Sequence, residues 1–436
     1  MSVEPLFPFQ QAQVDELVNA PLPARLFVAW EQGLGKTRLC IEVAKRRGFR
    51  KILVIGPAIG RVVWPHEQIK WSATGEWTFW SWAEFVRDPS PYHQWLAVNV
   101  PDMIVLDEAH YAKDRKAKRT RCVYGSACDG KGDAFIDGAC MVLALSGTPA
   151  PNFTAELWTH LNALAPETIV HHTTKRPLAE HQFRELYSHM RASNYGLRVV
   201  GSKNTDALRQ RTAGFFRRLR KVDVLPDLPD LMIEPMPLDV DMSTVPPEFR
   251  DPVLGQTMSP DELVKWLNDR ATSLAGARRL LGAAKLKAGI DWIEDFLDSG
   301  EGKLVVFAHH LGVIDRLQNH FKSQAVAITG STPLATRGAA VHLFQNEPRT
   351  RVFIGQTQAC GTALTLTAAH DVLVLEPDWT PGTVAQAIAR THRIGQKNAV
   401  LARMAYAPGT LDEIISTVVA RKASEIGRMF DSREVA

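Results

Sequence analysis

The sequence predicts an α/β protein of two lobes, each a mainly parallel sheet flanked by helices. Three observations carry this. Short apolar runs alternate with amphipathic stretches in two successive sets, the habit of strands joined by crossover helices. A glycine-rich loop near the start sits between an apolar run and a helical one. A segment marked by Pro226, Pro229, Pro235 and Pro237 separates the two sets.

In the first set the strand candidates are Arg25–Ala29, Lys51–Ile55, Met103–Leu106 and Met141–Leu145. In the second they are Lys303–Phe307, Ala325–Ile328, Arg351–Ile354, Asp371–Leu375 and Val400–Ala405. Helices are expected over Arg38–Arg47, Leu311–Phe321, Pro333–Phe344 and Pro381–Thr391. Glu180 to Lys221 is polar, helical in pattern and ends in a basic cluster, and Ser259–Leu297 reads as helical again. The expected organisation is a first lobe over 1–170, a helical insertion and basic hinge over 171–228, and a second lobe over 229–436 with a helical insertion about 242–297. The lobe boundary is expected near Leu225 to Asp230, where the prolines read as a linker.

A chain of 436 residues can bury two or three cores. Its 45% hydrophobic and 22% charged residues are those of a globular protein, and a net charge of +4 excludes little. Five scattered cysteines are too few for a disulfide framework and point to a reducing compartment. The N-terminus lacks the basic start and apolar run of a signal peptide, and no apolar stretch is long enough for a membrane span. The expectation is a soluble intracellular protein.

Trp30-Glu-Gln-Gly-Leu-Gly-Lys-Thr37 lies between a strand and a helix, the context a phosphate-binding loop needs. Gly33, Leu34 and Gly35 would bring backbone N–H groups onto phosphates at a helix N-terminus. Lys36 would reach the β- and γ-phosphates, and the Thr37 hydroxyl would join a Mg²⁺ shell. Strict spacing puts a small residue at position 30, where this chain has tryptophan. Asp107-Glu-Ala-His110 follows an apolar strand, so its carboxylates emerge at a strand's C-terminal end, where α/β proteins bind ligands. Asp107 would hold Mg²⁺ through water, and Glu108 would orient or deprotonate an attacking water. An acidic turn after a buried strand is the bland alternative, and the phosphate loop upstream argues against it.

From Phe9 to about Met429 the chain resembles the Swi/Snf-type ATPases, the duplex-DNA translocase branch of helicase superfamily 2. Phe9-Gln10-Gln11 resembles the family's adenine-reading segment, with Gln10 as reader. Gly56-Pro57 with Trp64 and Glu67 resembles a motif that touches the DNA backbone in the family. Leu145-Ser-Gly-Thr-Pro149, with Asn152, Glu156, Leu157 and Trp158, resembles the motif coupling hydrolysis to DNA contact. Phe216-Arg-Arg-Leu-Arg-Lys221 and Asp223-Val-Leu-Pro226 resemble the hinge before the second lobe. Phe307-Ala-His-His310, Gly330-Ser-Thr332, Gly361 through Ala369 and Trp379-Thr-Pro381 match in order, and Gly361 is carried over as a nucleotide-binding position. In Gln386-Ala-Ile-Ala-Arg-Thr-His-Arg-Ile-Gly-Gln396, Arg390 and Arg393 are three apart and would face the same way on a helix. Each would act as an arginine finger on a γ-phosphate held by the other lobe. Phe307-Ala-His-His310 and Gly282-Ala-Ala-Lys285 resemble the annealing-helicase branch.

The resemblance implies two RecA-like lobes, ATP and Mg²⁺ as cofactors, and double-stranded DNA, forked or branched forms included, as partner, with no membrane. It also implies a bare motor such as bacteria and viruses encode, placed in the cytoplasm of a bacterium or of an infected host cell. Two basic runs, Lys113–Arg121 and Arg209–Lys221, are either solvated surface or phosphate clamps. Cys122, Cys128 and Cys140 lack the close pairing of a zinc site and read as reduced thiols. Trp64, Trp71, Trp77, Trp80 and Trp82 read as packing rather than base-stacking platforms, and His309 and His310 as hydrogen-bonded structural residues. Two rival functions stay open: a strand-separating helicase on RNA or single strands, and a nucleic-acid-binding ATPase switch without movement. A nuclease subunit would need a carboxylate–lysine motif, which the sequence does not show.

Overall fold

The structure is a computed structural model describing residues 4–125, 134–151, 153–193, 196–245, 250, 271–300, 302–359, 364–378, 381–410 and 412–413. Gly361, Asn152, Cys128, Trp379 and Thr380 lie outside these. The chain divides into two compact units that meet between Pro226 and Asp227.

The first unit is built on a six-stranded sheet: β1 (Ala24–Trp30), β2 (Lys51–Gly56), β3 (Glu76–Ser81), β4 (Met103–Asp107), β5 (Met141–Leu145) and, after a hairpin of β6 (Ser188–Ser193) with β7 (Gly196–Ser202), β8 (Phe216–Leu219). The order is β3-β2-β4-β5-β1-β8, and every pairing is parallel. Both faces are covered, which is why the central strands read as unbroken apolar runs. Phe27, Ala29, Ile104, Leu106, Val142 and Ala144 face one core; Val28, Trp30, Met103, Val105, Leu143 and Leu145 face the other.

The second unit repeats the plan with β9 (Leu231–Pro237), β10 (Leu304–Ala308), β11 (Ala325–Ile328), β12 (Val352–Gln356), β13 (Asp371–Val374) and β14 (Val400–Tyr406). Its order is β11-β12-β10-β13-β14-β9, again all parallel. The helix Ala271–Asp298 packs Leu281, Leu286, Ile293 and Leu297 into one of its two cores. Along that helix Lys285 is buried and its Nζ lies 2.5 Å from Asp412 Oδ2.

Three expectations change. Glu180–Lys221 is not continuously helical: helices Glu180–Tyr187 and Thr205–Thr212 flank the β6–β7 hairpin, and β8 completes the first sheet beside β1. The polar pattern that reads as helix there belongs partly to half-buried strands. The proline-marked segment holds β9, an edge strand paired to β14. Proline survives in it because an edge strand needs only half its backbone groups for the ladder. Finally, β3 carries the tryptophan-rich run Glu76–Ser81, whose aromatic density hides a strand.

Candidate functional site: a phosphate loop beside an acidic strand end

β4, β5 and β1 are adjacent and parallel, so the loops at their C-terminal ends emerge along one edge of the first sheet. Those loops are Asp107–His110, Ser146–Pro149 and Glu31–Gly35. Three segments distant in sequence are thus neighbours because of strand order alone.

The phosphate loop leads into α2 (Lys36–Arg47). Gly33 and Gly35 have φ of 87° and 88°, a region where a side chain is strained. A Cβ on Gly35 would also sit 2.5 Å from Gln10 Nε2. Gln10 is buried on α1 (Pro8–Asn19), donates to the Leu34 carbonyl at 2.9 Å and accepts from the Phe7 N–H at 3.2 Å. An amide has two donors and an acceptor oxygen with two lone pairs, so Gln10 keeps capacity for a base edge while holding the loop. The Lys36 ammonium donates to the Trp30 and Glu31 carbonyls at 2.9 and 3.2 Å, bent back along the loop it would leave to meet phosphates. Trp30 is fully buried with the Phe9 ring against it at 5.6 Å, so the residue breaking the strict spacing acts as an anchor between α1 and the loop.

Asp107 ends β4, and burial together with the neighbouring Glu108 raises its carboxyl to about 6. A half-buried carboxylate there favours a cation, and the Thr37 hydroxyl on the first turn of α2 is an oxygen donor of the same hard type. The donor set therefore fits Mg²⁺. Glu108 takes a left-handed conformation with φ 51°, which turns the chain from β4 into the short helix Ala109–Ala112. Its Oε2 lies 3.3 Å from His110 Nδ1, which also meets Ser146 Oγ at 2.9 Å. Burial pushes His110 down to about 4, so it is neutral near pH 7 and shares one proton with Ser146. Ser146 Oγ in turn accepts from the Thr148 N–H at 3.1 Å, tying the acidic segment to the Ser-Gly-Thr turn.

Sequence reasoning missed two tryptophan donors on Asp107. Trp64 Nε1 donates to Asp107 Oδ2 at 3.0 Å and Trp82 Nε1 donates to the Asp107 carbonyl at 2.9 Å. Trp64, Trp71, Trp80 and Trp82 are all buried, as the packing reading expects, and Trp64 and Trp82 make their bonds to Asp107 from within the core. Trp71 Nε1 donates to Glu67 at 2.6 Å. In the segment that resembles a DNA-backbone motif, Trp64 is buried and Glu67 half-buried, and each takes part in an indole hydrogen bond, since a buried indole N–H without a partner is costly.

The basic runs are also partly spent internally. Lys113 pairs with Glu156 at 2.7 Å, Arg115 with Glu180, Arg209 with Asp206 and Arg220 with Asp223, while Arg218 donates to the Ala29 carbonyl.

In the second unit the helix Pro381–Ile388 ends before Arg390, so Arg390 and Arg393 do not share a helical face as their spacing suggests. They sit in the turns that follow: Arg390 is buried, and Arg393 donates to the Leu364 carbonyl at 2.9 Å. Glu376 accepts from the N–H groups of His309 and His310 at 2.9 and 3.0 Å and lies 2.6 Å from His310 Nδ1. Burial alone would raise the Glu376 carboxyl, but the bonds from His310 outweigh it and the net shift is downward. Cys122 is buried and Cys140 exposed, and among the described residues no group of three or more histidine, cysteine and carboxylate side chains could hold a metal ion. No helix among them is long and apolar enough to cross a membrane.

The family described as helicase conserved C-terminal domain matches residues 287–395. The DNA annealing helicase and endonuclease ZRANB3 of Bos taurus is 29% identical over 472 residues, covering 98% of this chain and 41% of the relative. The SWI/SNF-related matrix-associated actin-dependent regulator of chromatin subfamily A-like protein 1 homolog of Caenorhabditis elegans is 27% identical over 456 residues, covering 98% of this chain and 62% of the relative. This chain therefore spans less than two thirds of the length of either. Among solved structures, the Sulfolobus solfataricus SWI2/SNF2 ATPase core in complex with dsDNA aligns with a TM-score of 0.42 and 18% identity, over 98% of this chain and 97% of that one.

Proposed function

From this chain's resemblance to the Swi/Snf-type ATPases, and among them to annealing helicases, we propose that it is a DNA-dependent ATPase that translocates along double-stranded DNA. The observation that carries the reading is the shared sheet edge: the phosphate loop, the acidic turn and the Ser-Gly-Thr turn leave three neighbouring parallel strands. The His110–Ser146 contact joins the second to the third. A change of charge at the acidic turn on hydrolysis would reach the Ser-Gly-Thr segment through one hydrogen bond.

In this reading Lys36 leaves the carbonyls of the loop and pairs with the β- and γ-phosphates of ATP. Gln10 presents its remaining amide capacity to the adenine. Thr37 and Asp107 would hold Mg²⁺, which when bound neutralises charge on the phosphate oxygens. Glu108 orients the attacking water and takes its proton. Arg390 and Arg393 supply positive charge to the transition state from the second lobe, and Gly361 belongs to the nucleotide contacts. Remodelling of DNA or of protein–DNA complexes then follows from stepping along a phosphate backbone, which is read by charge and not by base.

An ATPase assay with linear duplex, forked duplex, single-stranded DNA and RNA tests the reading. Turnover is expected to rise strongly with duplex of any sequence and weakly with RNA, and the stimulation to fall steeply with salt. Stronger stimulation by forks than by linear duplex would favour the annealing-helicase relatives. If RNA or single strands stimulate best, the duplex translocase is wrong.

A further inference from the structure

We propose that Trp64 is a positioning residue for the Asp107 carboxylate, setting how tightly the nucleotide site holds its divalent cation; this rests on the nucleotide-site reading above. Trp64 lies on α3 (Gly60–Lys70), the helix after β2, and its side chain is buried at 1% exposure. The helix comes in close because Gly60 meets the Phe79 ring, which a Cβ there would approach to 2.6 Å. The Trp64 ring stacks on Trp77 with centroids 5.9 Å apart and planes at 28°. That stack aims Nε1 at Asp107 Oδ2, 3.0 Å away.

The chemistry of the donor matters. An indole N–H donates one proton and accepts nothing, so it fixes the carboxylate's rotamer without neutralising it. A lysine or arginine in that place would cancel the charge the cation needs. Trp82 donates to the carbonyl of the same residue, so main chain and side chain of Asp107 are each held by an indole from a different segment. Trp64 thereby ties Oδ2 to the protein in one direction, and that direction sets how the carboxylate faces a cation or its water. Partners one step behind a metal ligand typically change metal affinity by roughly 10- to 100-fold when removed.

The test uses the full chain, a fluorescent ADP analogue and a Mg²⁺ titration. Trp64→Phe keeps an aromatic ring in the stack and deletes the N–H. The Mg²⁺ concentration that half-saturates nucleotide binding should rise by roughly 10- to 100-fold. Nucleotide affinity in EDTA and duplex affinity without nucleotide should stay as in the wild type. Trp77→Phe, whose own N–H goes to the Thr74 carbonyl at 2.8 Å, should leave the midpoint unchanged. A cooperatively melting Trp64→Phe with the wild-type midpoint overturns the proposal, as does loss of duplex affinity with the midpoint intact. Asp107→Asn is the separate control: if it also keeps the wild-type midpoint, the nucleotide-site reading itself fails. Should Trp64→Phe not fold, indole ¹H–¹⁵N spectra of the wild type decide. Mg²⁺ with ADP must shift an indole resonance that ADP in EDTA does not, and the absence of such a shift overturns the proposal.

Discussion

Replacing Lys285 with methionine should loosen the second lobe far more than its mild side-chain change suggests. Lys285 is 1% exposed and Asp412 8% exposed, and their charged atoms are 2.5 Å apart. Methionine fills similar volume but deletes the ammonium that lies 2.5 Å from the buried Asp412 carboxylate. Breaking a buried pair by removing one partner costs about 3–5 kcal/mol. Lys285 also supports the Glu376 carboxylate, which holds the turn after β10, so the loss should spread to that turn. Hydrogen exchange read on peptides covering 304–310 and 371–378 reports this lobe alone. At about 1.4 kcal/mol per decade, protection there should fall by roughly 10²- to 10³-fold or more. Adding Asp412→Asn removes the stranded charge and should restore most of the protection. Single-variant exchange within about threefold of wild type would refute the reasoning, since it lies far below the loss a broken buried pair implies. A double variant no better than the single one would show that stranded charge is not the cause.

Lys36→Ala should abolish ATP turnover while thermal unfolding stays cooperative, because the ammonium donates to carbonyls of its own loop and holds no part of the core; loss of a cooperative melt would make Lys36 structural. Arg393→Ala should lower the hydrolysis rate by on the order of 10³-fold with little change in ATP affinity, measured by single-turnover kinetics and equilibrium binding. For pH, His160 is buried against Tyr124 and burial depresses it from 6.5 to about 3, as His110 is depressed to about 4. Each is neutral when folded, whereas the unfolded chain takes a proton below 6.5, so their stabilisation is full above about pH 6.5 and is lost as pH falls toward 3–4. Asp107, raised to about 6, acts with the opposite sign and weakens the net slope. The urea midpoint of wild type should therefore fall with pH across that window more steeply than that of His160→Phe, and equal slopes would count against the assignment.

Much of the fold was legible because its strands are apolar runs: Met141–Leu145, buried along its whole length, and the edge strand Ala325–Ile328 have matching limits in sequence and structure. The phosphate loop was legible for a local reason, since glycines at 33 and 35 and the start of α2 are neighbours in sequence. What was hidden is non-local. Trp64 and Asp107 meet only because β2 lies beside β4, and no spacing rule links an indole to a carboxylate on another strand. The helix expected to carry Arg390 and Arg393 ends at Ile388 although the helical pattern runs on, because the backbone turns to let the Leu366 N–H reach the Arg390 carbonyl. The β6–β7 hairpin was missed because its strands lie outside the two main sheets, and a polar two-stranded ribbon has no apolar alternation to betray it.

The pairing of β9 with β14 sets an order of events during synthesis. Leu231 lies opposite Val400 and Pro237 opposite Tyr406, so the first strand of the second sheet waits for its last. Until those late residues leave the ribosome, β9 has no neighbour, and its exposed Met232 and Ile233 are a sticky ribbon. Pro235 and Pro237 remove two N–H groups from that ribbon and blunt its recruitment by other nascent chains. The first sheet, complete at β8, can form long before. Translation pauses or fragments ending short of residue 400 should therefore yield a folded first half attached to an aggregating tail.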